Sequence, residues 1–338
     1  MAAYTTIDDP EKYFQVKLTT GTGSSQAVTF DGDTDMQPDL IWGKRRDSTG
    51  HPTIFDSVRG ITKGLETNGV GAEFTSTDYY TAFGSDGFTI AAGSSGAGNG
   101  SSETAVQWCW KETADAGFDI VSYTGNNTAG ATVSHNLSQI PDLMIFKNRD
   151  DDDTSWCVYH SAHGTTGTGR LDLTNAFSDT SFITTTPSSS VFTLTATTIV
   201  NGSSHDIIAY LFASKQGFSK FGKYTGNSST DGTFVHLGFR PAFVMIKNIT
   251  SAQQWFIIDN KRSTHNPSHY ALLPNDNAAE YTNQATNYSI DILSNGFKLK
   301  TSGNTSSNAN NATGNDYIYI AFAEQPFVNS NGVPCNAR

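Results

Sequence analysis

The chain has 338 residues, a net charge of −11 at pH 7, 31 glycines and only 16% charged residues. An acidic balance without clustered Lys and Arg argues against nucleic acid and against anionic lipid as partners, and acidity of this kind mainly keeps a large surface soluble. No apolar run reaches the length that spans a bilayer, and three cysteines (Cys109, Cys157, Cys335) at non-equivalent places do not make a disulfide framework.

Met1 to Pro10 has neither a basic region nor an apolar stretch, so no secretory signal is expected. Ile7 to Tyr13 is expected to serve as an N-terminal dock. A phenylalanine strand then runs from Phe14 to a Thr-Gly ending at Gly21. Asp31-Gly32-Asp33-Thr34-Asp35 starts like a calcium loop, but Met36 stands where that loop needs glycine and Trp42 where it needs glutamate. Pro38-Asp39-Leu40-Ile41-Trp42-Gly43-Lys44 follows as an apolar strand closed by a lysine. Asp56-Ser57-Val58-Arg59 pairs an acid with a base just beyond the next strand. Phe83 to Ile90 reads as a hairpin, Gly93 to Ser102 as a long loop, and Val106/Trp108/Trp110 as an alternating closing strand.

After the joint Lys111 to Gly117 the same order returns twice. Phe118 to Gly125 opens the second round, and Pro141-Asp142-Leu143-Met144-Ile145-Phe146-Lys147 repeats the lysine strand. Asp150 to Asp153 reads as a solvated hairpin tip. His160 and His163 stand where the Asp/Arg pair is expected, Pro187 to Phe192 replaces the hairpin, and Ile208/Tyr210/Phe212 closes the round. Beyond Ser214 to Gly217, the third round runs from Phe218 to Gly226, through Pro241-Ala242-Phe243-Val244-Met245-Ile246-Lys247, to Asp259-Asn260-Lys261-Arg262. Ile290 to Lys300 is the clearest hairpin, with an expected two-residue turn at Asn295-Gly296. Thr301 to Gly314 is a long loop, Ile318/Ile320/Phe322 the closing strand, and Val328 to Arg338 a loose polar tail.

A period of about a hundred residues, with several short strands in each, predicts an all-β protein of three tandem antiparallel β-sandwich or jelly-roll-like modules. The expected units are 1–112 with the docking segment, 113–216, 217–327, and the polar tail 328–338. A β-helix would need a repeat of about twenty residues, which is absent. The joints are short, so the modules are expected to touch instead of swinging freely. Each sheet is expected to bury one face.

The candidate sites favour scaffold roles. Asp56/Arg59 and Asp259/Arg262 recur at equivalent places and read as charge-assisted bonds fixing a strand exit. Lys44, Lys147 and Lys247 recur in all three rounds and so serve the fold. His160/His163 and His265/His269 have metal-like spacings without a partner set. Trp42, Trp156 and Trp255 read as core, whereas Tyr79, Tyr80 and Tyr270 are candidates for stacking on sugar rings. No nucleophile elbow or serine triad order is present. Catalytic residues, a metal site and a cofactor are not expected, and no ligand-binding set is assigned.

Gly217-Phe218-Ser219-Lys220-Phe221 through Tyr224-Thr225-Gly226, Gly238-Phe239-Arg240 with the lysine strand that follows, Asp259 to Arg262, Leu293-Ser294-Asn295-Gly296-Phe297-Lys298-Leu299, and Tyr317 to Phe327 resemble an uncharacterised repeat of tailed-phage virion proteins. Such repeats occur in large, often marine, phage proteins described as tail fibres or structural proteins. The resemblance covers nearly the whole chain and is loosest in the second module, and it transfers no site residues. It implies a non-enzymatic virion structural protein, made in the host cytoplasm and released by lysis. The expected place is a tail fibre, tail tip or surface appendage that adheres to host glycan. A capsid-decorating (head fibre) or cementing protein is the alternative, and a particle-borne polysaccharide depolymerase a third reading. Other virion proteins and a host cell-surface glycan are the expected partners, with homo-oligomerisation on the particle and no membrane insertion.

Overall fold

The computed structural model describes residues 4–283, 286–302 and 310–336. Runs rich in β-branched and aromatic residues become strands, as their fit to a pleated surface requires. In the first third these are β1 (Phe14–Thr20), β2 (Gln26–Thr29), β3 (Leu40–Arg45), β4 (Thr53–Asp56), β5 (Lys63–Glu66), β6 (Phe74–Thr75), β7 (Tyr80–Gly84), β8 (Gly87–Ile90) and β9 (Thr104–Trp110). The middle third supplies β10 (Phe118–Thr124), β11 (Ala131–Ser134), β12 (Leu143–Asn148), β13 (Cys157–His160), β14 (Gly169–Arg170), β15 (Val191–Leu194) and β16 (Asp206–Phe212). The last third holds β17 (Ser219–Thr225), β18 (Phe234–His236), β19 (Phe239–Asn248), β20 (Phe256–Asp259), β21 (Ile290–Leu293), β22 (Gly296–Leu299) and β23 (Asp316–Pro326).

Strand order repeats with the sequence. The large sheets run β1-β9-β3-β4-β5-β6, β10-β16-β12-β13-β14 and β17-β23-β19-β20, and the small ones β2-β8-β7, β11-β15 and β18-β22-β21. In each large sheet the lysine strand lies antiparallel to the closing strand in matched register, Trp42 opposite Trp108, Ile145 opposite Tyr210 and Met245 opposite Ile320. The protein is therefore all-β, built from several antiparallel sheets.

One expectation about the core is corrected. The large sheets bury both faces: β12 is buried along its whole length, and β3 from Leu40 to Lys44. One face of the first sheet (Ile41, Phe55, Cys109) packs against its own small sheet through Tyr80, Phe88 and Ile90. The other face (Leu40, Trp42, Trp108, Trp110) enters a core shared by all three strand groups. There Phe14 stacks on Phe322 at 5.1 Å, Phe322 meets Phe212 at 5.7 Å, and Phe212 meets Trp110 at 6.3 Å. At the centre a void of about 20 Å³ is lined by Trp42, Leu143, Ile145, Met245, Ile320 and other apolar side chains from every group. Its apolar lining leaves a water without partners, so it stays dry.

Local devices repeat as well. Gly21, Gly125 and Gly226 end the opening strands because a Cβ there would collide with the carbonyl oxygens of Gly100, Gly202 and Ala312. The residue before each of those carbonyls is a buried asparagine, Asn99, Asn201 or Asn311, whose side chain clamps the loop. Asn201 accepts from Asn126 N at 2.9 Å and donates to Thr128 O at 3.0 Å; Asn99 and Asn311 bind Thr22 N and Asn227 N in the same way. Part of the loop expected over Thr301 to Gly314 lies outside the described residues. The third-round hairpin turns one residue earlier than expected, at Ser294-Asn295, with Leu293 opposite Gly296. Gly296 is needed because a Cβ would strike Val235 O on the neighbouring strand.

The first and last described segments are both engaged. Ile7 is buried in the shared core, Thr5 Oγ1 donates to Gln216 O at 2.7 Å, and Tyr4 OH donates to Gly238 O at 2.9 Å. Within the segment Ile7 to Tyr13, read from the sequence as a dock, Ile7 enters the shared core and Tyr13 stands edge-on to Phe218 at 5.9 Å. The described part of the tail is not loose: Asn329 to Val333 form a turn, Ser330 N donates to Asp8 Oδ1 at 2.6 Å, and Cys335 N donates to Phe327 O at 3.0 Å.

Candidate functional site

The repeated polar residues meet at three junctions, where each strand group reaches into the next and the last reaches into the first. Lys44 Nζ in the first group donates to Asp276 O of the third at 2.9 Å. Lys147 Nζ in the second donates to Val70 O of the first at 2.9 Å, and Lys247 Nζ in the third to Thr174 O of the second at 2.7 Å. The three crossings close a ring. Burial pulls Lys44 and Lys147 down to about 8 and Lys247 to about 7. The tryptophans add a second row of crossings. Trp156 Nε1 donates to Glu66 O at 2.8 Å, and Trp255 Nε1 to Arg170 O at 2.7 Å.

The Asp/Arg pairs sit on the same junctions. Arg59 Nε donates to Asp56 Oδ2 at 2.5 Å, both side chains being fully buried, and Arg59 Nη1 reaches Glu73 at 3.2 Å. The second group completes this cluster, with Tyr210 OH donating to Asp56 Oδ2 at 2.7 Å and Arg149 Nε donating to Glu73 at 2.8 Å. The third group repeats it toward the first: Arg262 holds Asp259 at 2.6 Å and Glu280 at 2.9 Å, Trp108 Nε1 donates to Asp259 at 2.9 Å, and Arg46 donates to Glu280 at 2.8 Å. Burial opposes the charge on Arg262, yet Asp259 and Glu280 hold its pKa above the ordinary value.

The remaining junction replaces all four residues. Backbone bonds fix the equivalence: Glu73 N donates to Arg149 O, Glu280 N to Arg46 O, and Phe177 N to Ile249 O. Phe177 thus stands for the glutamate and Ile249 for the distal arginine, while His160 and His163 stand for the aspartate and the near arginine. Phe177 packs on Trp255 and on His163, and His160 is wholly buried with Nε2 facing Tyr319 O at 3.3 Å. Burial lowers His160 to about 4, so it is neutral at physiological pH. A half-kept cluster would strand a buried charge, which is why the four positions change together.

Other candidates disperse. Tyr80 is wholly buried and Tyr79 packs on Phe55 and Phe74, so neither offers a sugar platform. Asp31 pairs with Lys17, and Asp150 accepts from Asp206 N. Among the described residues, no group of three His, Cys, Asp or Glu side chains is placed to hold a metal.

Tyr270 fares differently. The segment after Arg262 forms an open cleft of about 230 Å³ lined by Ser263, Thr264, His265, Asn266, Pro267, His269 and Tyr270. Asn266 pins it to β21, donating to Ile292 O and accepting from Ile292 N, both at 2.8 Å. His269 stands edge-on to the half-buried Tyr270 ring at 5.1 Å and faces Pro267 O through Nδ1 at 2.9 Å. Thr264 Oγ1 lies 3.0 Å from His265 Nδ1. An aromatic wall beside rotatable polar groups suits a ring with one apolar face and several hydroxyls.

Sequence reasoning missed Arg46, Arg149, Glu73, Glu280 and the three asparagines. One signal was legible: Arg46 and Arg149 each lie two residues beyond a repeated lysine, and Ile249 holds the same place in the third round.

Residues 9–326 match one continuous family model, described as a domain of unknown function (DUF7483). The chain belongs to the DUF7483 family. That model runs across all three strand groups, so in this DUF7483 chain the matched unit is the whole ring. No curated protein and no solved structure matches the chain.

Proposed function

We propose that this DUF7483 chain is a non-enzymatic structural protein of a phage virion, placed in a tail fibre, tail tip or surface appendage, where it contributes to adhesion on host glycan. The observation that supports it most is the closed ring. Buried polar crossings fix the strand groups against one another, a rigid mount for surface loops. The cleft at Tyr270 is a surface feature suited to a saccharide, and copies on one particle would multiply a weak affinity.

The ring also favours a second reading. A body with three similar flanks in one chain fits a place of threefold symmetry, such as the meeting point of three coat subunits, and would then decorate the capsid. Immunogold labelling of intact particles, with antibody to the recombinant chain, separates the two. Label at the tail supports the appendage, label over the head supports decoration, and particles free of label overturn both. For adhesion, Tyr270→Ala should weaken binding of the recombinant chain to host cells several-fold, in line with the loss of one stacking ring. Unchanged binding would remove the cleft from the proposal.

A further inference from the structure

Seven arginines lie among the described residues, and six of them pair with carboxylates: Arg45, Arg46, Arg59, Arg149, Arg240 and Arg262. Among the described residues Arg170 makes no ion pair within 4 Å, the buried Asp172 interacting with it only at longer range, and its buried Nη1 has no hydrogen-bond acceptor. Its guanidinium lies 4.5 Å above the ring of Phe182, itself buried, while the backbone is fixed by pairing with Cys157 and by the bond from Trp255. A buried donor without an acceptor is costly; with Nη1 closed off from solvent, the donors that a groove ligand can reach are the remaining ones of the planar, stacked guanidinium.

The fork borders an open groove of about 440 Å³. Exposed Asn175, Ser178 and Thr180 bring an amide and two hydroxyls to its rim, and Leu173 and Ile199 bring apolar surface. The loop carrying Leu173 and Asn175 does not drift, because Thr174 O takes both the Lys247 ammonium and Gln253 N, and Phe177 N donates to Ile249 O. A fixed cationic fork beside hydroxyl and amide groups and an apolar wall matches an oxyanion carried on a polyhydroxylated ring.

We infer that the Arg170 groove is a binding site for acidic saccharide, with the guanidinium receiving a carboxylate or phosphate oxyanion. The inference does not depend on the Tyr270 cleft or on placement in a virion. Titration of the full chain with trigalacturonate, inorganic phosphate and neutral maltotriose tests it. Saturable binding of trigalacturonate assigns a carboxylated sugar, and binding of phosphate alone assigns a phosphorylated one; in either case Arg170→Gln should weaken it about ten-fold or more, the worth of a charge-assisted pair. Arg170→Lys should recover part of the affinity, as a point charge without the fork. Should Arg170→Gln lower the melting temperature, Asn175→Asp puts the test on an exposed residue by adding a repelling charge at the rim, and it should weaken binding too. Failure of both anions to bind at millimolar concentration, or equal affinity for maltotriose, would overturn the site. So would anion binding unchanged in Arg170→Gln and Asn175→Asp. Tyr270→Ala leaves the anion titration unchanged, so a failure here and a failure of the cleft are told apart.

Discussion

Replacing Arg59 by methionine removes one member of a cluster whose other members stay buried. Asp56 would keep Tyr210 OH and its own turn amide at Arg59 N but lose the ion pair at 2.5 Å, and Glu73 would keep only Arg149 and a distant Lys63. With both side chains of the Asp56–Arg59 pair fully buried, no solvent replaces the lost partner. Breaking such a pair from one side costs about 3–5 kcal/mol, against about 0–1 kcal/mol for an exposed one. Urea denaturation with a constant slope should therefore show a large fall in midpoint for Arg59→Met. The informative control is the quadruple variant Asp56→His, Arg59→His, Glu73→Phe, Arg149→Ile, which copies the set found at the second junction. It removes every charge of the cluster together and should lose less than the single substitution. A cost below about 1 kcal/mol for Arg59→Met, or a quadruple variant much worse than the single one, would refute the reasoning.

Three further outcomes follow from the same geometry. His160 falls from 6.5 to about 4 on folding, so its neutral form contributes stability present above pH 6.5 and lost as pH falls toward 4. The shift corresponds to about 3 kcal/mol, and His160→Gln should remove most of that acid loss when melting curves at pH 7 and pH 4.5 are compared with the parent. An equal acid loss in both chains would contradict it. Asn201→Ala should cost about 2–3 kcal/mol in urea denaturation, because Asn126 N and the carbonyls of Thr128 and Thr195 lose their buried partner; a near-neutral effect would show that the clamp is incidental. Gly125→Ala should destabilise by about 1–3 kcal/mol by the same measurement, since the added Cβ meets the backbone at Asn201-Gly202 and no flexible side chain can yield.

Much of the framework was legible from spacing. The lysine strands and the closing strands lie where the hundred-residue period puts them, because two-residue alternation and turn residues are local signals. What the period could not show is that the large sheets are buried on both faces. Leu40-Ile41-Trp42 and Leu143-Met144-Ile145-Phe146 are continuous apolar runs, the mark of a strand without a wet side, and the second covering surface comes from residues a hundred or two hundred positions away. The same distance hid the crossings. The pairing of Asp56 with Arg59 is local and was readable, but Tyr210 and Arg149 join it only once the ring closes. Arg170 was not readable at all, since its significance lies in having no direct ion pair among the described residues and a buried Nη1 without an acceptor, both of which are settled only in three dimensions. Tyr270 was named with Tyr79 and Tyr80 because all three fall in less regular segments, and burial separated them.

Scanning calorimetry tests the closed ring most directly. Strand groups sharing one core and three buried polar junctions should unfold together, giving a calorimetric enthalpy about equal to the van't Hoff enthalpy in a single transition. Three separable transitions, or a calorimetric enthalpy about three times the van't Hoff value, would mean that the groups fold independently and that the crossings do not bind them into one body.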